Sequence, residues 1–206
     1  MVGNPGWNYD KATDEWYYSS FLEFQPDLNY RNSELKNEMF DTVKFWLKNG
    51  VDGFRLDIFN CIIKDSEFRD NPFIFRYIPS PDNPNAFFQK KIHNMNMNEN
   101  FEFAKELRRV IDEFLPDRFL IGEVNGDNTT IKKFLGGNDH DGLNLIFLFE
   151  TIEFKFSAQY FNKLLSDFEK NYPDPYIPVY VFGNHDQKRY ISKIGNDVRK
   201  AKLISL

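Results

Sequence analysis

Three short apolar runs, each ending in or just before a carboxylate, constrain the fold of this chain more than any other feature. They are GVDGFRLD (50–57), FLIGEV (119–124) and VFGNHD (181–186). Parallel strands that are buried on both faces have near-continuous apolar sequences of this kind. In a barrel of alternating strands and helices, the chemistry lies at the carboxyl ends of the strands. We therefore expect Asp57, Glu123 and Asp186 to form an active site at the C-terminal edge of a parallel sheet in an α/β fold.

Helical patterns separate these runs in the order that a parallel sheet requires. Apolar residues recur at helical spacing after Ser33, with Asn32 as the predicted N-cap and Gly50 as the C-terminal stop. Further helices are predicted at about 99–114, at 157–171 and from Asp197 onward, and further strands at 118–124, 142–150 and 177–182. Right-handed crossovers would assemble the resulting four strand–helix units into a parallel sheet or part of a barrel.

Two segments have no clear periodicity. Residues 1–32 are rich in Asn, Pro, Gly, Trp and Tyr, which predicts an ordered but irregular segment. Residues 59–98 contain four prolines and several Asn and Phe residues. A loop of this length inside a compact domain is usually functional.

Composition excludes several classes of protein and of partner. The 206 residues are 41% hydrophobic, and the 17% that are aromatic favour core packing over a surface for sugars. A net charge of −5 gives no general attraction to nucleic acid or to anionic lipid. Cys61 is the only cysteine, so an intrachain disulfide is excluded. No apolar run reaches the roughly 18 residues of a membrane span, and no signal region opens the chain, so we expect a cytoplasmic protein with no membrane partner.

The residues around the acids favour a pair of carboxylates in different protonation states. Arg55 and Asp57 lie two apart on a strand and project from the same face. They form either a structural ion pair or a nucleophile that the guanidinium keeps ionised. Glu123 follows an apolar run, which favours its protonated form. One charged and one neutral carboxyl group is the arrangement of a glycosidase. Neither the acids nor His185 match a compact metal-binding motif, so no metal is expected.

The motifs GFRLD, GEV and NHD, in that order and roughly sixty residues apart, resemble three sequence regions of the α-amylase family of glycoside hydrolases, family 13. The segment QPDLN (25–29) resembles a further region that marks the oligo-1,6-glucosidase and α-glucosidase branch of that family. Residues 16–60 and 179–197 also resemble this branch. The resemblance implies a partial TIM (β/α)8 barrel covering roughly strands 4 to 7. On this basis, 1–32 would be the end of the inserted small domain and 33–206 the partial catalytic barrel.

The resemblance also implies a role for each site residue. Asp57 would be the nucleophile of a retaining mechanism, oriented by Arg55, and Glu123 would be the general acid and then the base. Asp186 would stabilise the transition state and, with His185, bind the sugar. The carboxyl groups of Asp57 and Glu123 should then lie about 5–5.5 Å apart. The substrate would be a short α-glucoside, and no cofactor is implied, with calcium left open for the full-length protein.

The same resemblance implies that much of the barrel is missing and leaves alternatives open. Strands one to three, strand eight and the C-terminal β-domain have no counterpart here, so we expect a fragment of a longer enzyme. Ile58, which follows the proposed nucleophile, is β-branched and apolar like the valine of α-1,6-cleaving enzymes of this branch. The resemblance therefore slightly favours α-1,6 over α-1,4 linkages. The alternatives are a catalytically inactive fragment, a non-catalytic family-like protein, or a trehalose-phosphate hydrolase or sucrose isomerase. The oligomeric state is left open.

Overall fold

The computed structural model describes residues 6–78 and 88–205 of the chain. The described residues fall into two compact units, the first ending at Leu143 and the second beginning at Asn144. Both units combine helices with parallel strands, as the sequence predicts. The domain boundary predicted after residue 32 stays a prediction.

The first unit opens with a hairpin where the sequence predicted irregular structure. Strands β1 (Trp7–Asp10) and β2 (Glu15–Tyr18) pair antiparallel. The rings of Trp7 and Tyr18, directly opposite each other, meet edge to face at 5.4 Å. Cross-strand aromatic pairs of this kind stabilise a short hairpin. The prediction was wrong for this hairpin because two four-residue strands give too short a period-2 pattern to recognise, whereas 19–32 contains neither helix nor strand, as predicted.

The first predicted helix delivers the chain into the first parallel strand, as expected. Helix α1 (Ser33–Lys48) is capped by the Asn32 side chain, which accepts hydrogen bonds from two backbone N–H groups of the first turn. Gly50 then turns the chain with a φ of +90°, in the left-handed region that glycine tolerates best. The predicted cap and stop are both confirmed.

Strands β3 (Gly53–Leu56) and β4 (Phe119–Gly122) pair in parallel, with Leu56 opposite Gly122. Gly53 lies opposite Phe119, and a Cβ at residue 53 would come within 2.3 Å of the Phe119 carbonyl oxygen. A glycine is therefore required where this strand begins. The register brings the carboxyl ends of β3 and β4 side by side, which positions the candidate site.

Helix α2 (Asn98–Asp112) supplies the core beneath these strands, close to its predicted bounds of 99–114. Phe103 is at the centre, with its ring 5.0 to 5.7 Å from the rings of Tyr30, Phe40 and Phe59. Phe59 belongs to a 3₁₀ turn, Phe59–Cys61, that follows β3 directly. The aromatic core therefore anchors the loop at the end of β3. A short helix, α3 (Asn128–Phe134), follows β4 and was not predicted.

The second unit repeats the strand–helix order. Strand β5 (Leu145–Leu148) pairs in parallel with β6 (Pro178–Tyr180), and helix α4 (Ala158–Asn171) connects them. Two short helices follow. Helix α5 (Tyr190–Lys193) was not predicted, and α6 (Val198–Ile204) lies where a helix was predicted from Asp197 onward, with Asp197 as its N-cap.

Two predictions in the second unit need correction. The strand predicted at 177–182 ends at Tyr180, because the N–H of Val181 donates instead to the hydroxyl of buried Thr151, at 2.7 Å. The apolar pattern of the helix predicted at 157–171 places Leu164, Leu165 and Phe168 on its core face, but Leu165 is 44% exposed and only Leu164 and Phe168 are buried. The core face of α4 is therefore narrower than the apolar pattern indicates.

Asn100 is fully buried in α2 and satisfies three backbone groups of the loop after β3. Its Oδ1 accepts from the Ile63 N–H at 2.8 Å, and its Nδ2 donates to the carbonyls of Asn60 and Ile63 at 3.1 and 3.0 Å. Asn100→Leu would leave the buried N–H and carbonyl of Ile63 unpaired, while the Asn60 carbonyl would keep its bond from the Asn96 N–H at 2.8 Å. We therefore expect a loss of about 3 kcal/mol in the free energy of unfolding, measured by urea denaturation.

Asn37→Leu is the matched control for this change. Asn37 is exposed on α1, so the same substitution there is expected to change the free energy of unfolding by less than about 0.5 kcal/mol. Equal losses in the two variants would contradict the role of Asn100.

Candidate active site

Asp57 and Glu123 each come directly after one of two neighbouring parallel strands. Backbone hydrogen bonds hold them beside each other: the Glu123 N–H donates to the Leu56 carbonyl and the Phe59 N–H donates to the Glu123 carbonyl, both at 2.9 Å. Glu123 is thus bound on both sides to residues that flank Asp57. The structure places these two acids together at the strand ends, where the sequence predicted them.

Arg55 links the two carboxyl groups. Its Nη1 donates to Asp57 Oδ1 and its Nη2 donates to Glu123 Oε2. The side chains differ in exposure, since 68% of Asp57 but only 9% of Glu123 is accessible to solvent. A single planar guanidinium therefore fixes one exposed and one buried carboxyl group relative to each other.

The surroundings of Glu123 raise the pKa of its carboxyl group. Burial contributes most, and a hydrogen bond to the Asp57 carboxyl adds to it. The positive charge of Arg55 and the backbone N–H of Ile58 oppose the shift, and the negative charge of Asp57 supports it. The apolar run before Glu123 predicted this direction, which is confirmed. Glu123 is therefore suited to hold a proton at higher pH than an ordinary glutamate.

Asp186 and His185 belong to the second unit and lie in a turn that begins five residues after β6 ends. The Asp186 N–H donates to the Asn184 side chain at 3.0 Å, and His185 Nε2 lies 3.5 Å from an Asp186 carboxylate oxygen. Both side chains are exposed, and His185 lines a cavity of about 610 Å³. The assembly of Asp186 with the Asp57 and Glu123 pair stays a prediction.

A cavity of about 160 Å³ lies against Asp57 in the first unit. The QPDLN segment forms part of its wall, and Lys64 forms an ion pair with Asp27 of that segment. Cys61 also lines the cavity, where burial raises the pKa of its thiol to about 12. The thiol therefore stays protonated. The QPDLN segment, which resembles the region that marks the oligo-1,6-glucosidase and α-glucosidase branch, therefore lies beside the candidate nucleophile.

A cluster of amide side chains that the sequence patterns did not indicate fixes the loops after β3 and β4. Asn60 is fully buried, and its Nδ2 donates to Asn96 Oδ1 at 3.0 Å and to the Asn125 carbonyl at 2.9 Å. Asn96 donates to the same carbonyl, and Asn100 donates to the Asn60 carbonyl. Asn60 follows Asp57 by three residues and Asn125 follows Glu123 by two. The only signal was the Asn-rich stretch at 94–100, of which the part up to residue 98 was assigned to a loop and Asn100 to the helix that follows.

Neither a metal cluster nor a membrane helix occurs in the part of the chain that the structure describes. Within residues 6–78 and 88–205, no three His, Cys, Asp or Glu side chains are grouped as metal ligands would be. No helix in the same ranges is both long and apolar enough to cross a bilayer.

Two acidic side chains, Asp57 and Glu123, lie side by side at the C-terminal ends of neighbouring parallel strands. This arrangement defines an α/β protein with an acid-lined site. The sequence model of the alpha amylase catalytic domain matches residues 1–206. The chain therefore belongs to the alpha-amylase family, family 13 of the glycoside hydrolases.

Relatives in this family are named as glucosidases. The chain is 33% identical to an alpha-glucosidase of Candida albicans, over 97% of this chain and 36% of the relative. It is 30% identical to an oligo-1,6-glucosidase of Heyndrickxia coagulans, over 96% of this chain and 36% of the relative. The chain thus spans little more than a third of the length of these relatives.

Solved structures agree on the fold. The crystal structure of an alpha-glucosyl transfer enzyme, XgtA, superposes with a TM-score of 0.76 at 30% identity, over 93% of this chain and 36% of that one. A trehalose-6-phosphate hydrolase of Bacillus licheniformis superposes with a TM-score of 0.74 at 21% identity, over 95% of this chain and 35% of that one. The second likeness supports the fold alone.

Proposed function

We propose that this chain carries the acid pair of a retaining α-glucosidase that acts on short oligosaccharides, as part of a longer enzyme. The observation that carries the proposal is the Arg55 bridge between Asp57 and Glu123. It holds an exposed carboxylate beside a buried carboxyl group with a raised pKa. A retaining glycosidase requires this combination of nucleophile and acid.

In the proposed reaction, the Asp57 carboxylate attacks the anomeric carbon while Glu123 gives its proton to the leaving oxygen. The glycosidic bond breaks and a covalent glucosyl ester forms on Asp57. Glu123, now ionised, takes a proton from water, and that water releases glucose with its original configuration. Arg55 holds the Asp57 carboxyl group in place before attack, and it favours the charged form of Glu123 after that residue has given up its proton.

Asp186 and His185 have the binding role in this proposal. The Asp186 carboxylate would accept hydrogen bonds from sugar hydroxyls and stabilise the positive charge that develops in the transition state. His185, exposed beside Asp186, would hold the same sugar. The substrate is a short α-glucoside. Isomaltose is favoured over maltose because Ile58, which lines the cavity beside Asp57, is β-branched and apolar like the valine of the α-1,6-cleaving enzymes that the chain resembles.

Proton NMR of the first product tests this proposal on the full-length protein. With isomaltose or maltose as substrate, we expect α-glucose to appear first and then to mutarotate, because a double displacement retains configuration. Initial release of β-glucose beyond the share already present at the reducing end of the substrate would rule out the retaining mechanism, and no release from either sugar would rule out the hydrolase.

The same spectra distinguish a transfer reaction from hydrolysis. A sugar hydroxyl can replace water in the second step, and the likeness to XgtA at 30% identity makes this the second candidate function. At high substrate concentration, transfer would produce new α-glucosidic signals. It would also release fewer than two glucose molecules for each disaccharide consumed. Hydrolysis produces two glucose molecules for each disaccharide consumed.

A further inference from the structure

Three successive hydrogen bonds join the loop after β3 to the loop after β4, and the third comes from a side chain. The first two are backbone bonds, from the Glu123 N–H to the Leu56 carbonyl and from the Phe59 N–H to the Glu123 carbonyl, both at 2.9 Å. Beyond them, Asn60 Nδ2 donates to the Asn125 carbonyl at 2.9 Å. The Asn60 amide therefore continues the ladder of the sheet past the point where both strands have ended.

The side chain of Asn60 is fully buried, and both ends of its amide have partners. Nδ2 donates a second bond to Asn96 Oδ1 at 3.0 Å, and the Cys61 thiol donates to Asn60 Oδ1 at 3.8 Å. Asn96 Nδ2 donates to the same Asn125 carbonyl at 3.2 Å. A buried polar network with its members paired in this way is rigid.

The turn between Asp57 and Asn60 needs such support because its backbone is strained. Ile58, between them, has φ and ψ of +39° and +45°, in the left-handed region that bulky L-residues avoid. Strain of this kind persists only where the surrounding contacts impose it. Without the bonds of Asn60 the turn is free to relax, and Asp57 at its start would move relative to Glu123.

We propose that Asn60 is a positioning residue, whose side-chain amide sets the distance between the Asp57 and Glu123 carboxyl groups by tying their two loops together. This inference rests on the proposed function for its catalytic meaning. The amide bonds to Asn96 and Asn125 rather than to either carboxyl group, so it acts through the backbone. A reacting group that is misplaced by about 1 Å loses on the order of 10²-fold in rate.

Asn60→Leu in the full-length protein tests the proposal. Leucine has the same number and branching of side-chain heavy atoms as asparagine, but it cannot donate a hydrogen bond. With isomaltose, we expect kcat to fall by about 10- to 10²-fold and KM to stay within about threefold, because the loss falls on the chemical step rather than on sugar binding. The rates are measured where urea denaturation shows each variant to be fully folded.

Asn71→Leu is the matched control, in the same long loop after β3. Asn71 Oδ1 accepts from the backbone N–H groups of Ile92 and His93 at 2.9 and 3.0 Å, so its bonds join this loop to itself. The substitution removes them without reaching Asn125, and we expect kcat and KM to stay within about threefold because the two acids keep their places. An equal fall of kcat in both variants would make Asn60 merely structural and overturn the proposal.

Amide hydrogen exchange measures the tie between the loops without any activity. In Asn60→Leu, exchange at the Phe59 and Glu123 N–H groups should accelerate about tenfold more than at buried Ile111 in α2, which reports opening of the whole unit. In Asn71→Leu the three should change by the same factor. Equal acceleration in Asn60→Leu would contradict the inference. An inactive unaltered protein would refute the proposed function, and the exchange would still decide whether Asn60 ties the loops.

Asn96→Gly decides the question if Asn60→Leu does not fold. Asn96 has a φ of +55°, which glycine adopts without strain, and the change removes an acceptor of Asn60 and one of the two side-chain donors to Asn125. We expect kcat to fall by about 3- to 10-fold with faster exchange at Phe59 and Glu123, because the tie is weakened rather than lost. An unchanged kcat in this variant would contradict the inference.

Discussion

Replacing Asp57 with asparagine is expected to lower kcat/KM on isomaltose and maltose by roughly 10⁴-fold or more. Asparagine is nearly the same shape but carries no negative charge, so it cannot form the glucosyl ester on which the double displacement depends. Arg55 would keep its bond to Glu123 and lose only a charged partner that is 68% exposed. The fold should therefore survive, and circular dichroism and urea denaturation would verify this.

Asp52→Asn is the matched control for the nucleophile. Asp52 lies just before β3, at the strand end away from Asp57, and pairs with Arg118. The same chemical change there removes a carboxylate from the same segment without reaching the site. We expect its kcat/KM to stay within about threefold of the unaltered protein, because Asp52 is 79% exposed and lies at the opposite end of β3 from Asp57.

A slow fluorinated glucosyl reagent would identify the nucleophile directly. Fluorine beside the anomeric carbon destabilises the transition states of both steps, and a good leaving group allows only the first, so the ester accumulates. Mass spectrometry should find one added fluoroglucosyl group on the peptide that contains Asp57. Attachment to another carboxylate, or normal turnover by Asp57→Asn, would contradict the assignment.

The parallel strands could be predicted because their sequences are dense in apolar residues and end in charged ones. The runs that contain Leu56 and Gly122 were too apolar to be surface loops, and buried strands were the natural prediction. Asp57 and Glu123 follow these two strands, which pair in parallel with Leu56 opposite Gly122. Strand lengths could not be predicted to the residue. The bond from the Val181 N–H to Thr151 ends β6 early, and residues thirty apart carry no local signal of such a contact.

Local patterns also failed where tertiary contacts decide the structure. The left-handed turn at Ile58 contradicts the preference of a β-branched residue, so propensity could not predict it. Asn60 was predicted in a loop and Asn100 in a helix, and neither pattern indicated that both side chains are fully buried and bonded to backbone groups of the loops. Places where propensity and structure disagree cluster around the candidate site, as expected where function constrains the backbone.

Glu123→Gln should lower kcat on isomaltose by about 10² to 10⁴-fold, the usual contribution of a general acid and base. Glutamine can accept the Arg55 hydrogen bond, but it has no proton to give to a sugar leaving group. The loss in the first step should nearly disappear with 2,4-dinitrophenyl α-glucoside, whose leaving group departs as a stable anion. Glu102→Gln, on the exposed face of α2, is the control and should match the unaltered protein.

The pH profile gives the sign of the Glu123 effect. The first step needs Glu123 protonated, so kcat/KM should fall on the basic side as pH rises through its pKa. Because burial and the Asp57 carboxyl raise that pKa, the fall should come at higher pH than an ordinary glutamate would give. In Glu123→Gln this basic limb should vanish. A basic limb that persists unchanged in the variant would assign the proton to another group and leave Glu123 as a structural partner of Arg55.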